Sequence, residues 1–177
     1  MSRTLAIFLL GAVVAACTPG RIDRVGVDSS YPAQQYQFVP YTKAMKLDVS
    51  GSLFGMEQAA FNQLVSDAVQ PPGVIESDSS PYRVHIAFNG ARVTGQNIAC
   101  GASGAQSAPN GGDVWIVAAL CPGSGPALTY LSGSVSDITG PADPRFRQFL
   151  RNAVVQLFPR PSNDDRNDRD NCILPGC

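Results

Sequence analysis

Apolar and polar positions alternate with period two in Met45-Lys46-Leu47-Asp48-Val49, which places Met45, Leu47 and Val49 on one face of a half-buried strand. The same alternation is clearest in Tyr82-Arg83-Val84-His85-Ile86-Ala87-Phe88, where Tyr82, Val84, Ile86 and Phe88 share the core face. Val114–Leu120 (VWIVAAL) is apolar on both faces and reads as a central strand covered on both sides. Gln35–Val39 offers a further short strand, and Ala127–Ile138 another after the turn Cys121-Pro122-Gly123-Ser124-Gly125-Pro126.

Two segments carry the helical period instead. In Met56–Gln70, Phe61, Leu64, Val65 and Ala68 fall at i, i+3, i+4 and i+7, with Glu57 where a negative charge suits the helix dipole. Pro71-Pro72-Gly73 stops that helix, because proline lacks an N–H and crowds the preceding turn. The last helix has Asp143 as N-cap and Pro144 at its first position. Phe146, Phe149, Leu150, Ala153, Val154, Leu157 and Phe158 form its apolar stripe, and Pro159 ends it. Arg145, Gln148, Arg151 and Asn152 are left to solvent. The order β-β-α-β-β-β-α predicts an α+β fold, an antiparallel sheet of about five strands with two amphipathic helices packed on one face. This layout is loosely similar to periplasmic lipoprotein domains of the α+β kind, an architectural likeness that brings no functional residues with it.

The first sixteen residues belong to a different grammar. Arg3 precedes the short apolar stretch Leu5–Val14, which is too brief to span a bilayer; a spanning helix needs about 20 residues. Val14-Ala15-Ala16-Cys17 resembles the bacterial lipobox, an apolar residue and two small ones directly before a cysteine. That resemblance implies a signal peptide over 1–16, cleavage before Cys17, and acylation of the Cys17 thiol and of the new amine. Two or more acyl chains anchor a protein firmly, since each buried CH₂ contributes about 0.8 kcal/mol. Thr18, not Asp, follows Cys17, which by the same resemblance implies the outer membrane with the domain facing the periplasm. Residues 17–34, with Pro19, Gly20 and Pro32, read as the lipidated N-terminus and a tether. A single domain over 35–158 and an irregular Pro/Asp/Arg tail over 159–177 complete the organisation.

With Cys17 committed to lipid, Cys100, Cys121, Cys172 and Cys177 remain, an even number in an oxidising compartment and so two expected disulfides. Zinc motifs pair Cys-x-x-Cys or add histidines, whereas here twenty and four residues intervene and His85 stands alone. Four cysteines allow three connectivities; Cys100 with Cys121 and Cys172 with Cys177 is the sequence-local choice. A plain hairpin of Arg92–Ala99 with Asp113–Leu120 would part Cys100 from Cys121 by roughly 26 Å. That bridge therefore requires the Gly-rich segment to fold back.

Composition and candidate chemistry narrow the function. Thirteen basic groups against fourteen acidic ones give a net charge of −1 and no reason to expect nucleic acid as a partner. His85 reads as a sheet-surface histidine between Arg83 and Ala87, since a general base needs a nucleophile and an orienting carboxylate beside it. Gly101-Ala102-Ser103-Gly104-Ala105 misses the Gly-x-Ser-x-Gly elbow by one residue and is not followed by a helix pattern. Gly123-Ser124-Gly125 lacks the third glycine of a phosphate-binding turn. Asp164, Asp165, Asp168 and Asp170 fail the calcium-loop pattern, with Arg169 and Asp170 where a ligand and a glycine belong. Arg145, Arg147 and Arg151 form an ordinary basic helix face, with anionic lipid or a partner as the alternative. No catalytic residue, metal site or cofactor is therefore expected. The expectation is a non-catalytic accessory lipoprotein that binds another envelope protein and is held to the membrane through Cys17. The alternative is a glycan or small-ligand binder using the 101–112 loop with Trp115 and Tyr130, and a hydrolase with an unrecognised site ranks third.

Overall fold

The computed structural model describes residues 20–36, 39, 45–70, 82–91, 95–105, 112–123 and 125–160. Its elements are β1 (Arg21–Val27), α1 (Ala33–Tyr36), β2 (Lys46–Ser50), α2 (Gln58–Val69), β3 (Tyr82–Phe88), α3 (Gln96–Ala99), β4 (Gly112–Pro122), β5 (Thr129–Ile138) and α4 (Pro144–Gln156). The strands form one five-stranded sheet in the order β1-β5-β4-β3-β2. The fold is α+β, and no described helix is long and apolar enough to cross a membrane.

β4 lies in the middle of the sheet because its side chains need cover on both sides. Val114, Ile116, Ala118 and Leu120 point into the main core, and Val117, Ala119 and Cys121 into a second, smaller cluster. The main core takes the odd positions of β5 and the even positions of β3, including Leu131, Val84, Ile86 and Phe88. Phe61 and Val65 of α2 and Phe146, Phe149 and Leu150 of α4 join the same cluster. Its centre is aromatic: the Phe61 ring meets Phe88 edge-on at 4.9 Å, and Phe146 lies 6.2 Å from Phe88 and 5.4 Å from Phe54.

The sheet is mixed. β3–β4 and β4–β5 pair antiparallel, as expected, and so do β1 and β5, but β2 and β3 run parallel, with Asp48 opposite His85 and Ser50 opposite Ala87. The reason is topological: α2 lies between the two strands in sequence, and a helical crossover returns the chain in the same direction. Gln58 Nε2 fixes the entry to that crossover by donating to the Val49 and Gly51 carbonyls at 3.3 and 3.1 Å.

Two expectations at the N-terminal side are corrected. The strand expected over Gln35–Val39 is absent: Gln35 and Tyr36 end the single turn α1, and Val39 is helical. The tether expected up to residue 34 instead supplies β1, which pairs with β5 from Arg21–Ser134 to Val27–Thr129. Arg21-Ile22-Asp23-Arg24-Val25-Gly26-Val27 shows little hydrophobic alternation because β1 is an edge strand, mostly exposed, with only Ile22 packed on the main core. Residues 1–19, with the lipobox and Cys17, lie outside the described residues, as do Cys172, Cys177 and the acidic tail.

α4 begins as the sequence predicts. Asp143 accepts from the Arg145 backbone N–H at 2.9 Å, and Pro144 follows as the first helical residue. The same carboxylate accepts from the Thr139 N–H, the Thr139 hydroxyl and the Arg145 guanidinium. The Arg145 guanidinium and these N–H donors hold the Asp143 carboxyl far below the usual carboxylate range. At the other end the Thr129 hydroxyl of β5 donates to the Leu157 carbonyl at 2.6 Å, satisfying one of the helix's last acceptors.

Phe146→Ala is expected to cost about 3–5 kcal/mol, read from the urea midpoint, because the cavity opens at the junction of two helices and the sheet. Asp143→Ala is expected to lose about 1–2 kcal/mol through the cap alone at neutral pH. The sign of its pH dependence follows from the depressed carboxyl. The contribution is complete above the ordinary value of 3.8 and fades as pH falls below it, so wild type and variant converge in strong acid.

Candidate functional site

The face of the sheet turned away from the main core is closed by residues 95–105, which run across it as a strap. α3 forms its first part, with Ala99 buried, and Ala127 N–H donates to the Gln96 carbonyl at 3.2 Å. Cys100 then bonds covalently to Cys121 of β4, with 5.8 Å between the Cα atoms. The disulfide expected there is thus present, and the hairpin that argued against it does not form. Gln96–Ala99 is a helical turn, not a strand, so the chain reaches β4 from above the sheet.

The strap's far end is seated backbone against backbone. Ala105 N–H donates to the Phe88 carbonyl and Gly104 N–H to the Ser50 hydroxyl, both at 2.8 Å. A Cβ on Gly104 would stand 1.8 Å from the Ser50 carbonyl oxygen, and one on Gly90 would stand 1.7 Å from that of Ser103. Only glycine permits so close an approach.

Under the strap lies a charged cluster that the parallel register of β2 and β3 assembles. His85 Nδ1 is 3.1 Å from Asp48 Oδ2, and Arg83 Nη1 is 3.3 Å from the same oxygen. His85 Nε2 is 2.7 Å from the Ala102 carbonyl oxygen, and Arg83 Nη2 donates to the Cys100 carbonyl at 3.4 Å. A carboxylate and a carbonyl only accept, so the imidazole makes both bonds when both ring nitrogens carry protons. His85 is 4% exposed, not the surface residue that its position between Arg83 and Ala87 suggests.

The cluster has the shape of a carboxylate-oriented histidine, but the nitrogen opposite the carboxylate is taken by a backbone carbonyl. General-base chemistry would need a hydroxyl or water at that nitrogen. Ser103, the serine of the near-elbow motif, is exposed on the outer side of the strap. The geometry as it stands clasps the strap: Arg83 and His85, two side chains on β3, meet two of its carbonyls, and Asp48 meets both side chains. No group of three His, Cys, Asp or Glu side chains able to hold a metal ion occurs among the described residues.

Trp115 and Tyr130 lie on this same face but not together. Trp115 is opposite Ser134 and Tyr130 is opposite Ala119, four positions further along β4 and so roughly 13 Å away. Tyr130 is 8% exposed and its ring lies over Gly26 of β1, where a Cβ would be 2.1 Å from Cε1. The Trp115 backbone N–H donates to the Asn89 side chain at 2.7 Å. What the sequence did not reveal is Asp48 as the partner of His85. The strict alternation of both strands put the two residues off the core face, and only the register puts them side by side.

No protein-family model matches the chain, and no curated protein matches it. Among solved structures, the PelC dodecamer from Paraburkholderia phytofirmans, in space group P6, matches over 80% of this chain and 99% of that one, with 13% identity and a TM-score of 0.43. A dodecamer of a single-substitution PelC variant from the same organism, in space group C2, matches over the same shares with 12% identity and a TM-score of 0.42. Likeness at this level carries no argument about function.

Replacing both Cys100 and Cys121 by serine is expected to lower stability by about 3 kcal/mol in urea unfolding, the loop-closure effect for a bridge across 21 residues. Amides of the strap should then exchange with deuterium faster than those of β4.

Proposed function

We propose that this protein is a non-catalytic lipoprotein of the outer membrane, acylated on Cys17, whose domain faces the periplasm and docks another envelope protein. Three observations support the reading. Val14-Ala15-Ala16-Cys17 resembles the lipobox. A disulfide joins Cys100 and Cys121, and such bonds persist in oxidising compartments. The third carries the docking part of the proposal: β1 is an edge strand that itself exposes two valines. Val25 and Val27 are 45% and 49% exposed, two of the three large apolar side chains exposed among the described residues. β1 hydrogen-bonds to β5 on one side, and among the described residues no strand pairs with its outer side.

An open edge is a template for another strand, and proteins ordinarily blunt it with charge, proline or a bulge. β1 has a bulge between Ile22 and Arg24, which leaves the stretch from Val25 to Val27 regular. A partner that adds an extended segment there would gain main-chain hydrogen bonds and cover both valines. The opposite edge of the sheet differs, since the end of the strap is bonded to Ser50 at the margin of β2.

Crosslinking in the native envelope, with a photoreactive residue in place of Val25, is expected to capture one stoichiometric outer-membrane protein. Adding Val27→Lys should abolish that adduct without loss of folded protein. Recovery of the chain as a monomer attached only to lipid would overturn the proposal.

A further inference from the structure

Because residues 21–27 form a strand and not a tether, the domain stands close to its anchor. If Cys17 carries the acyl chains, three peptide steps separate it from Gly20, a reach of at most about 11 Å. Gly20 is fixed to the body of the domain: its φ is +83°, and a Cβ there would stand 2.5 Å from the Phe149 ring and 2.9 Å from the Ser134 carbonyl oxygen. The anchor therefore holds the middle of α4 close to the bilayer, where a freely tethered domain would roam.

α4 is the element whose charge suits that position. Its sequence Pro-Arg-Phe-Arg-Gln-Phe-Leu-Arg-Asn-Ala-Val-Val-Gln contains three arginines and no acid. Arg145 is committed to Asp143, but Arg147 and Arg151 are exposed and form no ion pair with a described residue. They lie four residues apart and so share a face, the outer one, turned away from the buried Phe149 ring that Gly20 approaches. Like charges at that spacing oppose each other along a helix. An anionic surface relieves the repulsion, and at physiological salt it acts over a Debye length of about 8 Å, comparable to the leash. Asp23, Asp113 and Asp137, the exposed acids near this end of the sheet, belong to strands and not to α4, and Asp23 is paired with Arg21 at 2.6 Å.

We infer that the exposed face of α4, through Arg147 and Arg151, lies on the phosphate headgroups of anionic phospholipid in the leaflet that holds the anchor. This rests on acylation of Cys17 and goes beyond it, because an acyl chain alone fixes no orientation. The start of β1 is then the anchored end of the strand, and Val25 and Val27 lie further along it.

Trp115, the sole tryptophan, reports on this arrangement: it is opposite Ser134, which is opposite Arg21 at the start of β1. The full-length protein from its membrane is reconstituted into phosphatidylcholine vesicles with and without phosphatidylglycerol, each containing a dansyl-headgroup lipid. Energy transfer from Trp115 should be higher in the anionic vesicles and should return to the neutral-vesicle level in high salt. R147Q/R151Q should lose the anionic increment while keeping its unfolding midpoint, and R160Q, beyond the end of α4, should keep the increment. Transfer that ignores phosphatidylglycerol, or an increment that survives R147Q/R151Q, overturns the inference and leaves the lipoprotein reading intact. Mass spectrometry of the N-terminal peptide separates the two, since a Cys17 without acyl mass overturns both.

Discussion

β4 cannot leave either face in water, and the rest of the molecule is arranged around that requirement. A strand in which Ile116 and Leu120 alternate with Val117, Ala119 and Cys121 needs an apolar cover on each side. On one side the cover is large, a phenylalanine-rich core to which both long helices contribute. On the other it is a single pass of chain. The two solutions differ because the side chains differ: the first face carries large residues such as Ile86, Phe88, Ile116, Leu120 and Leu131, whereas the second has the smaller Ala87, Val117, Ala119 and Cys121 under the strap, with Trp115 and Tyr130 towards its ends.

Small side chains let backbone approach backbone, but they bury little apolar surface, so the strap has to be held by other means. Ala99 and Ala102 are its buried side chains. The disulfide to Cys121, the hydrogen bonds from Arg83 and His85, and the glycine contacts at Gly90 and Gly104 supply what hydrophobic burial does not. This also accounts for a buried histidine between an acid and a carbonyl. A polar group under a thin cover is tolerated when each of its polar atoms has a partner, and Asp48 and the Ala102 carbonyl provide them for His85.

The two ends of β1 have different tasks in the proposed arrangement. Its start is locked to α4 through Gly20 and Phe149, and its finish presents Val25 and Val27 at an unpaired margin. A strand that both receives the anchor and offers an edge fixes the direction in which a partner approaches. In that arrangement the lipid positions the docking surface as well as retaining the protein.

Periodicity alone located β2, β3, β4, α2 and α4, because each is buried on one face or both and burial imposes its period on the residues. The Asp143 cap and the Pro144 start were legible for a local reason, since both act within one helical turn. β1 and α1 were not legible: an exposed edge strand and a single turn have no core face to write a pattern. The Cys100–Cys121 pairing stayed one of three connectivities until the strap's path was known. The order of residues thus sets where the long helices begin and end and requires β4 to be covered twice. Folding in three dimensions settles the parallel register of β2 on β3, and with it the meeting of Asp48, Arg83 and His85. Register is a relation between distant segments, set by crossover and packing, and no local pattern encodes it.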